Sequence, residues 1–245
     1  MEPLISIVTV SFNSEKTIRQ TIESVLNQTY TNIEYNIVDG ASTDKTVEIA
    51  TQYKDDFEAK GIKYIITSEK DKGIYDAMNK GIARSHGEIV GLINSDDWYE
   101  TDALEKVAKF YEETGFDMMY ADLNIIKPSG NVVKHSRIRK YITSRDWNHP
   151  TTFITKKMYE KYQYKVKNIY DDFDLVIRIT KDGNKVCILN EVLANFRFGG
   201  VSNEKSFKKA VERTKARYEV YRCNGLSRFY IFECVAMEFA KWVLG

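Results

Sequence analysis

Short apolar, β-branched runs alternate with stretches of helical period through the first half of this chain. Leu4-Ile5-Ser6-Ile7-Val8-Thr9-Val10 reads as a buried strand, too short to span a membrane. Ser11-Phe12-Asn13-Ser14 then supplies a loop and a cap for a helix in which Ile18, Ile22, Val25 and Leu26 recur at helical spacing. Ile33 to Val38 predicts a second strand, ending in Asp39-Gly40-Ala41-Ser42-Thr43-Asp44, a tight loop and the cap of a helix carrying Val47, Ile49 and Ala50. Lys63 to Ile66 predicts a third strand, and Ile89-Val90-Gly91-Leu92-Ile93 a further one followed by a helix starting near Thr101. Alternation of this kind implies βαβ units, a largely parallel sheet, and functional loops gathered on one edge.

Each of these strands ends in polar residues. Thr9 to Asn13, Asp39 to Asp44, Ser68 to Lys72, and Asn94 to Asp97 emerge on the same edge, where a nucleotide lies in an α/β sheet. Asp96 and Asp97 at the mouth of a buried strand suit Mg2+ or Mn2+ clamping a diphosphate, and the same pair before Trp98 also serves as a turn and helix cap. No loop has the Gly-x-Gly-x-x-Gly spacing of a dinucleotide fold or the Gly-Lys-Ser/Thr ending of a P-loop, so phosphate falls to metal and side chains.

Four segments in order carry a resemblance: Ile5 to Asn13, Asp39 to Asp44, Asp71-Lys72-Gly73-Ile74-Tyr75-Asp76-Ala77-Met78-Asn79-Lys80-Gly81-Ile82, and Asn94-Ser95-Asp96-Asp97. Together they resemble the inverting family 2 glycosyltransferases of GT-A fold, over roughly residues 4 to 200, and the segment from Gly73 to Gly81 is most similar to bacterial enzymes that assemble surface polysaccharides. The resemblance implies that Thr9, Ser11 and Asp39 frame the base and ribose, with Asp39 accepting from a uracil N–H. It implies that Asp71 and the Asn79-Lys80 stretch lie beside the ribose and diphosphate, and that Asp97 is the direct metal ligand with Asp96 in support. Ser95 stands where the family's first motif acid belongs, a departure that still leaves a hydroxyl able to bond a ribose or a metal-bound water.

The second half must then supply the acceptor site and the base. Met118-Met119-Tyr120, the turn Pro128-Ser129-Gly130-Asn131, and Val132-Val133 read as a hairpin. His149, held extended before Pro150, either contacts the diphosphate or acceptor or satisfies a buried hydrogen bond. Tyr170-Asp171-Asp172-Phe173-Asp174-Leu175-Val176-Ile177-Arg178 resembles the family's acidic segment before a helix, where an Asp is the general base; that role falls to Asp172. Asp174 and Arg178 are spaced i,i+4 for a helix-face ion pair, and Asp171 caps the helix or orients its neighbour.

Composition narrows the classes. With 245 residues, 43% hydrophobic and 29% charged, the chain is long enough for one substantial soluble core, and a formal net charge of +1 argues against a general nucleic-acid binder. Cys187, Cys223 and Cys234 lack paired spacing, which points to reduced thiols in a cytoplasmic protein, and no secretory signal is visible at the start. Residues 1–203 form the catalytic domain on this reading. In residues 204–245 the bases Lys205, Lys208, Lys209, Arg213, Lys215, Arg217, Arg222 and Arg228 precede an aromatic amphipathic stretch from Phe229 through Phe239, Trp242 and Val243. This extension suits docking on an anionic membrane face, where lipid-linked acceptors reside, or packing on the catalytic domain or a second subunit.

The fold class expected is α/β, a GT-A mixed sheet flanked by helices with a helical C-terminal extension. The activity implied by the resemblance is metal-dependent transfer from a nucleotide-diphosphate sugar, a UDP-sugar first, to a glycan or lipid-linked acceptor. A sugar nucleotidyltransferase shares such a sheet but places a Gly-rich loop with a basic residue after the first strand, which Ser11 to Glu15 lacks. A non-catalytic sugar-nucleotide-binding partner is the third class, opposed by the intact Asp97 and Asp172.

Overall fold

The computed structural model describes residues 2–199 and 206–244, with side chains described as far as residue 240. The 203/204 boundary, Lys205, and the side chains of Trp242 and Val243 therefore lie outside the described residues. The first half builds β1 (Ile5–Ser11), α1 (Ile18–Leu26), β2 (Ile33–Asp39), α2 (Thr46–Thr51), α3 (Lys54–Ala59), β3 (Lys63–Ser68), α4 (Ile74–Arg84) and β4 (Ile89–Asn94), with α3 and α4 added to the elements that its periodicity predicts. Then follow β5 (Trp98–Tyr99), α5 (Ala103–Thr114), β6 (Met118–Ile126), β7 (Val132–Lys134), a 3-10 turn at His149–Thr151, β8 (Phe153–Thr155), α6 (Lys156–Lys161), α7 (Asp171–Lys181), β9 (Val186–Arg197), α8 (Phe207–Cys223) and α9 (Tyr230–Leu244).

One mixed sheet runs β3-β2-β1-β4-β8-β6-β9-β5, with β7 paired to β6 as the predicted hairpin. β3, β2, β1 and β4 are parallel, and the register aligns Ser11 with Asp39 and Asp39 with Ser68 at their carboxyl ends. Beyond β4 the sheet turns antiparallel through β8 and β6. Strand β9 has no counterpart in the sequence reading, because Asn190 and Glu191 interrupt its apolar run.

The central strands are apolar on both faces because helices cover both sides. Ile5 and Ile7 belong to one buried cluster with Ile18, Ile22 and Val107, while Val8 and Val10 belong to another with Met78, Phe173, Ile177 and Tyr221. Helix α4 lies tightly on β1 at Gly81, where an added Cβ would stand 2.3 Å from the Val8 Cγ1. No helix of the described residues is long and apolar enough to cross a membrane.

The C-terminal helices pack back on α7. Asn224 donates to Asp174 at 2.7 Å, and Arg217 donates to the Tyr170 hydroxyl at 2.8 Å, tying α8 to the start of α7. Arg213 and Arg217, read from the sequence as part of a basic face, turn inward and pair with the buried Glu238 of α9 at 2.8 and 3.1 Å. That is a correction, and its reason is that a buried carboxylate needs cationic partners more than the surface does.

Candidate active site

The polar strand ends meet on one edge of the sheet. Asp39 is fully buried, and its carboxylate accepts from Ser11 Oγ at 3.0 Å, Ser42 N at 2.8 Å, Ser42 Oγ, and Ser68 Oγ at 2.7 Å. The parallel register places Ser11 and Ser68 on either side of it, so one carboxylate pins three strand ends. An oxygen is freed for an incoming N–H only when a serine hydroxyl rotates aside. Asp71 stands over this floor, with Oδ1 accepting the Gly73 amide at 2.7 Å and Oδ2 2.6 Å from where a Cβ on Gly40 would sit. A side chain at position 40 would push that carboxylate oxygen aside. Phe12, 64% exposed and close to Gly40, adds an apolar ring at the rim that the sequence reading did not single out.

Three residues assigned to the site from the sequence have other partners in the structure. Thr9 has no exposed surface and its hydroxyl accepts from Tyr35 at 2.9 Å, because it lies two residues inside the strand end. Asn79 uses its amide on the backbone of Tyr164, donating to the carbonyl at 2.9 Å and accepting from the amide at 3.1 Å, so it pins a loop rather than facing a ribose. Lys80 donates to the Lys70 carbonyl at 2.9 Å and lies 3.3 Å from Asp76, one turn earlier on its own helix, and 3.6 Å from Glu69.

The β4 end carries Asp96 and Asp97. Asp97 is buried, Oδ1 accepts the Arg197 amide at 3.1 Å, and Oδ2 has no hydrogen-bond partner. Burial and the neighbouring Asp96 hold its carboxyl well above the usual range, and burial raises Asp96 as well. An orphaned oxygen beside a second desolvated carboxyl is an arrangement that a divalent cation relieves, so these residues fit a Mg2+ or Mn2+ ion. Among the described residues no group of three or more His, Cys, Asp or Glu forms a metal cluster. Ser95, the departure from the motif, shares a 2.7 Å hydrogen bond with Ser14. Arg197, brought from β9, donates to the Asp96 carbonyl at 3.3 Å and lies over the Trp98 ring, a role its distance in sequence conceals.

A small cleft with a cavity volume of about 10 Å3 lies beside β4. Leu92, Trp147, His149, Tyr164 and Asp172 are among its lining residues. Burial pushes the Asp172 carboxyl up to about 6, although the Phe173 amide donates to it at 2.7 Å. Burial pushes His149 down to about 4, leaving a neutral ring whose Nε2 has no partner. Trp147, stacked edge-on against His149, also has an unpartnered buried N–H. At neutral pH the cleft therefore holds one carboxylate and two unsatisfied polar ring nitrogens, a set suited to binding hydroxyls and accepting a proton from one.

Of the flanking acids, Asp174 makes the helix-face pair its spacing predicts, whereas Asp171 neither caps the helix nor bonds its neighbour. Asp174 pairs with Arg178 at 2.8 Å and also with Lys165 at 3.0 Å, which holds its carboxyl below the usual range despite burial. Asp171 accepts the Lys167 amide and is buried, tying the preceding loop to the helix that presents Asp172.

A family model described as glycosyl transferase family 2 matches residues 6–175. TuaG of Bacillus subtilis strain 168, whose name places it provisionally in teichuronic acid biosynthesis as a glycosyltransferase, is 29% identical over 98% of this chain and 96% of its own length. A PGL/p-HBAD biosynthesis glycosyltransferase of Mycobacterium bovis BCG is 28% identical over 84% of this chain and 83% of its own. Among solved structures, S. aureus TarS 1-349 in complex with UDP-GlcNAc superposes with a TM-score of 0.72 at 18% identity, covering 97% of this chain and 72% of that one. The mannosyltransferase PcManGT of Pyrobaculum calidifontis, in complex with GDP-Man and Mn2+, gives a TM-score of 0.67 at 14% identity, covering 98% and 75%. The sheet and its flanking helices are thus the GT-A arrangement.

Proposed function

From the premise that this chain belongs to glycosyl transferase family 2, we propose that it is an inverting enzyme that moves a sugar from a nucleotide-diphosphate donor, a UDP-sugar first, to a hydroxyl of a glycan or lipid-linked acceptor in surface polysaccharide synthesis. The observation that carries this reading is the desolvated Asp172 in a cleft bordered by β4, the strand whose end presents Asp96 and Asp97. The relative named for teichuronic acid biosynthesis and the UDP-GlcNAc complex of TarS support the choice of pathway class and donor.

Ser11, Asp39 and Asp71 with Phe12 form the nucleotide end, the ring of Phe12 covering an apolar face of the base. Asp97, assisted by Asp96, would hold a Mg2+ or Mn2+ ion, which when bound offsets the negative charge of the departing diphosphate. Asp172 takes the proton of the acceptor hydroxyl as that oxygen approaches the anomeric carbon from the face opposite the leaving group. His149 stays neutral across the working range and offers Nε2 to a sugar hydroxyl or diphosphate oxygen. The working compartment on this reading is the cytoplasm, with the lipid-linked acceptor at the inner membrane face.

A thermal-shift panel of nucleotide sugars, each with and without Mn2+, tests the reading, because a ligand of the folded state raises its melting temperature by mass action. One uridine donor should raise the melting temperature in Mn2+ and much less without it. If no nucleotide sugar shifts the transition in either condition, the proposal fails.

A further inference from the structure

Helix α9 is amphipathic in the inverted sense. Its acids Glu233 and Glu238 point toward α8, Glu238 to Arg213 and Arg217 and Glu233 to the Tyr221 hydroxyl at 3.1 Å. Phe232, Val235 and Phe239 on α9, with Phe229 just before it, stand outward, from 53% to 71% exposed. Their spacing of three, three and four residues sets them along one stripe of helical period, a face that a protein in water alone gains nothing by displaying.

The rim of this stripe is cationic. Arg228 lies against the Phe229 ring, 5.6 Å from its centroid. Residues 137–146 form a loop closed at its base by the Arg137 amide donating to the Asp146 carbonyl at 2.8 Å. Ile142 of the loop packs into the same cluster as Tyr230, and the Ser144 amide faces the Tyr221 hydroxyl, so the loop sits at the root of α9. It carries exposed Arg137, Arg139, Lys140 and Arg145, of which only Arg139 has a carboxylate partner among the described residues, Asp146 at 3.1 Å. Ile138 and Tyr141, 57% and 67% exposed, stand among those charges.

We propose that the aromatic stripe of α9 and the basic loop 137–146 together dock the enzyme on an anionic lipid bilayer, holding the acceptor end of the cleft at the membrane surface. A second copy is the weaker occupant on charge grounds. Two-fold pairing sets a patch against itself, which would bring this basic rim against its own duplicate, whereas an anionic headgroup layer complements it. Apolar rings inserted at headgroup depth with cations around them are the two signals that stable peripheral attachment requires.

The docking face is coupled rigidly to the cleft. Trp147, which lines the cleft, packs on Phe173 at 6.0 Å between ring centroids, Phe173 on Tyr221 at 5.5 Å, and Tyr221 stacks on Tyr230 at 4.2 Å at the start of α9. The link of this face to a lipid-linked acceptor rests on the glycosyl-transfer reading above, while the docking itself does not.

Sedimentation of the full chain with phosphatidylcholine vesicles, with and without phosphatidylglycerol, decides the matter. Binding should require phosphatidylglycerol and weaken as salt rises. The double variant Phe232→Ser with Phe239→Ser should lose roughly 10-fold or more in partitioning, since both rings leave the bilayer. Replacing Arg137, Lys140 and Arg145 with Gln should weaken binding on the order of 100-fold at low salt, about fivefold per charge removed. Both variants change exposed side chains, and circular dichroism with a thermal melt checks that each remains folded. Parent-like vesicle binding by both variants, or no preference for phosphatidylglycerol, overturns the proposal. So does a concentration-dependent dimer in light scattering that Phe232→Ser with Phe239→Ser abolishes, because a second copy then covers the stripe. Vesicle binding needs neither donor nor metal, so its failure and a failure of the thermal-shift panel are read separately.

Discussion

Replacing Asp172 with Asn tests chemistry and electrostatics in one variant. The carboxyl lies in a cleft whose walls include Leu92, Leu175 and Val176, and burial raises it from 3.8 to about 6. The parent should therefore show kcat/KM rising tenfold per pH unit below about 6 and levelling above, with roughly nine-tenths of the base ionised at pH 7 and about one-tenth at pH 5. Asn keeps an oxygen for the Phe173 amide but cannot take a proton, so turnover should fall by roughly 10²-fold or more while donor affinity survives. Stability moves the other way. A carboxyl with a raised folded pKa is favourable to folding below its unfolded value and loses that contribution as pH climbs through about 6. At pH 7 to 8 the ionised side chain then costs up to ~3 kcal/mol, from about 1.4 kcal/mol per pH unit between the two values. Asp172→Asn should accordingly melt higher than the parent at neutral pH, and the two should converge toward pH 4. Urea unfolding of both proteins across that range measures the difference directly, and the titrations of Asp96 and Asp97 cancel because both proteins share them. Near-parent turnover, or a stability difference that ignores pH, would refute the assignment. If Asp171→Asn or Asp174→Asn alone abolished turnover, the base would have been misplaced within its cluster.

Two further outcomes are expected. Asp97→Ala removes the carboxylate with the unpartnered Oδ2, so it should nearly abolish transfer and the Mn2+ dependence of UDP binding without unfolding the chain; unchanged UDP affinity in Mn2+, measured by calorimetry, would remove the metal assignment. Gly81→Ala forces a Cβ to within 2.3 Å of the Val8 Cγ1, in a β-branched side chain with little freedom to yield, so α4 must lift from β1. That overpacking should cost about 1–3 kcal/mol and lower Tm by several degrees, and an unaltered melting curve would show that the contact relaxes freely.

The βαβ half of the molecule was legible because its signals are local. A run such as Ile89 to Ile93 can bury both faces only as a central strand, and strands in parallel register deliver their polar carboxyl ends to one edge whatever the rest of the chain does. Asp39, Asp71, Asp97 and Asp172 could thus be assigned to an edge, a loop or a helix start from spacing and resemblance alone. Which way each side chain turns was decided by packing. Asn79 and Lys80 sit on α4, Asn79 bonded to Tyr164, which folds back from far along the chain, and Lys80 to the Lys70 carbonyl of the preceding loop. Thr9 keeps its strand but is sealed beneath Tyr35. The Arg197 amide reaches Asp97 across a hundred positions, because β9 enters the sheet beside β6 and then pairs with β5. In the tail, the sequence marked a basic segment and an amphipathic one without telling which face of either is inward. The tertiary structure buries Glu238 between Arg213 and Arg217 and leaves the phenylalanines outside, since an ion pair shielded from water by two helices holds them together only with its charges turned toward each other.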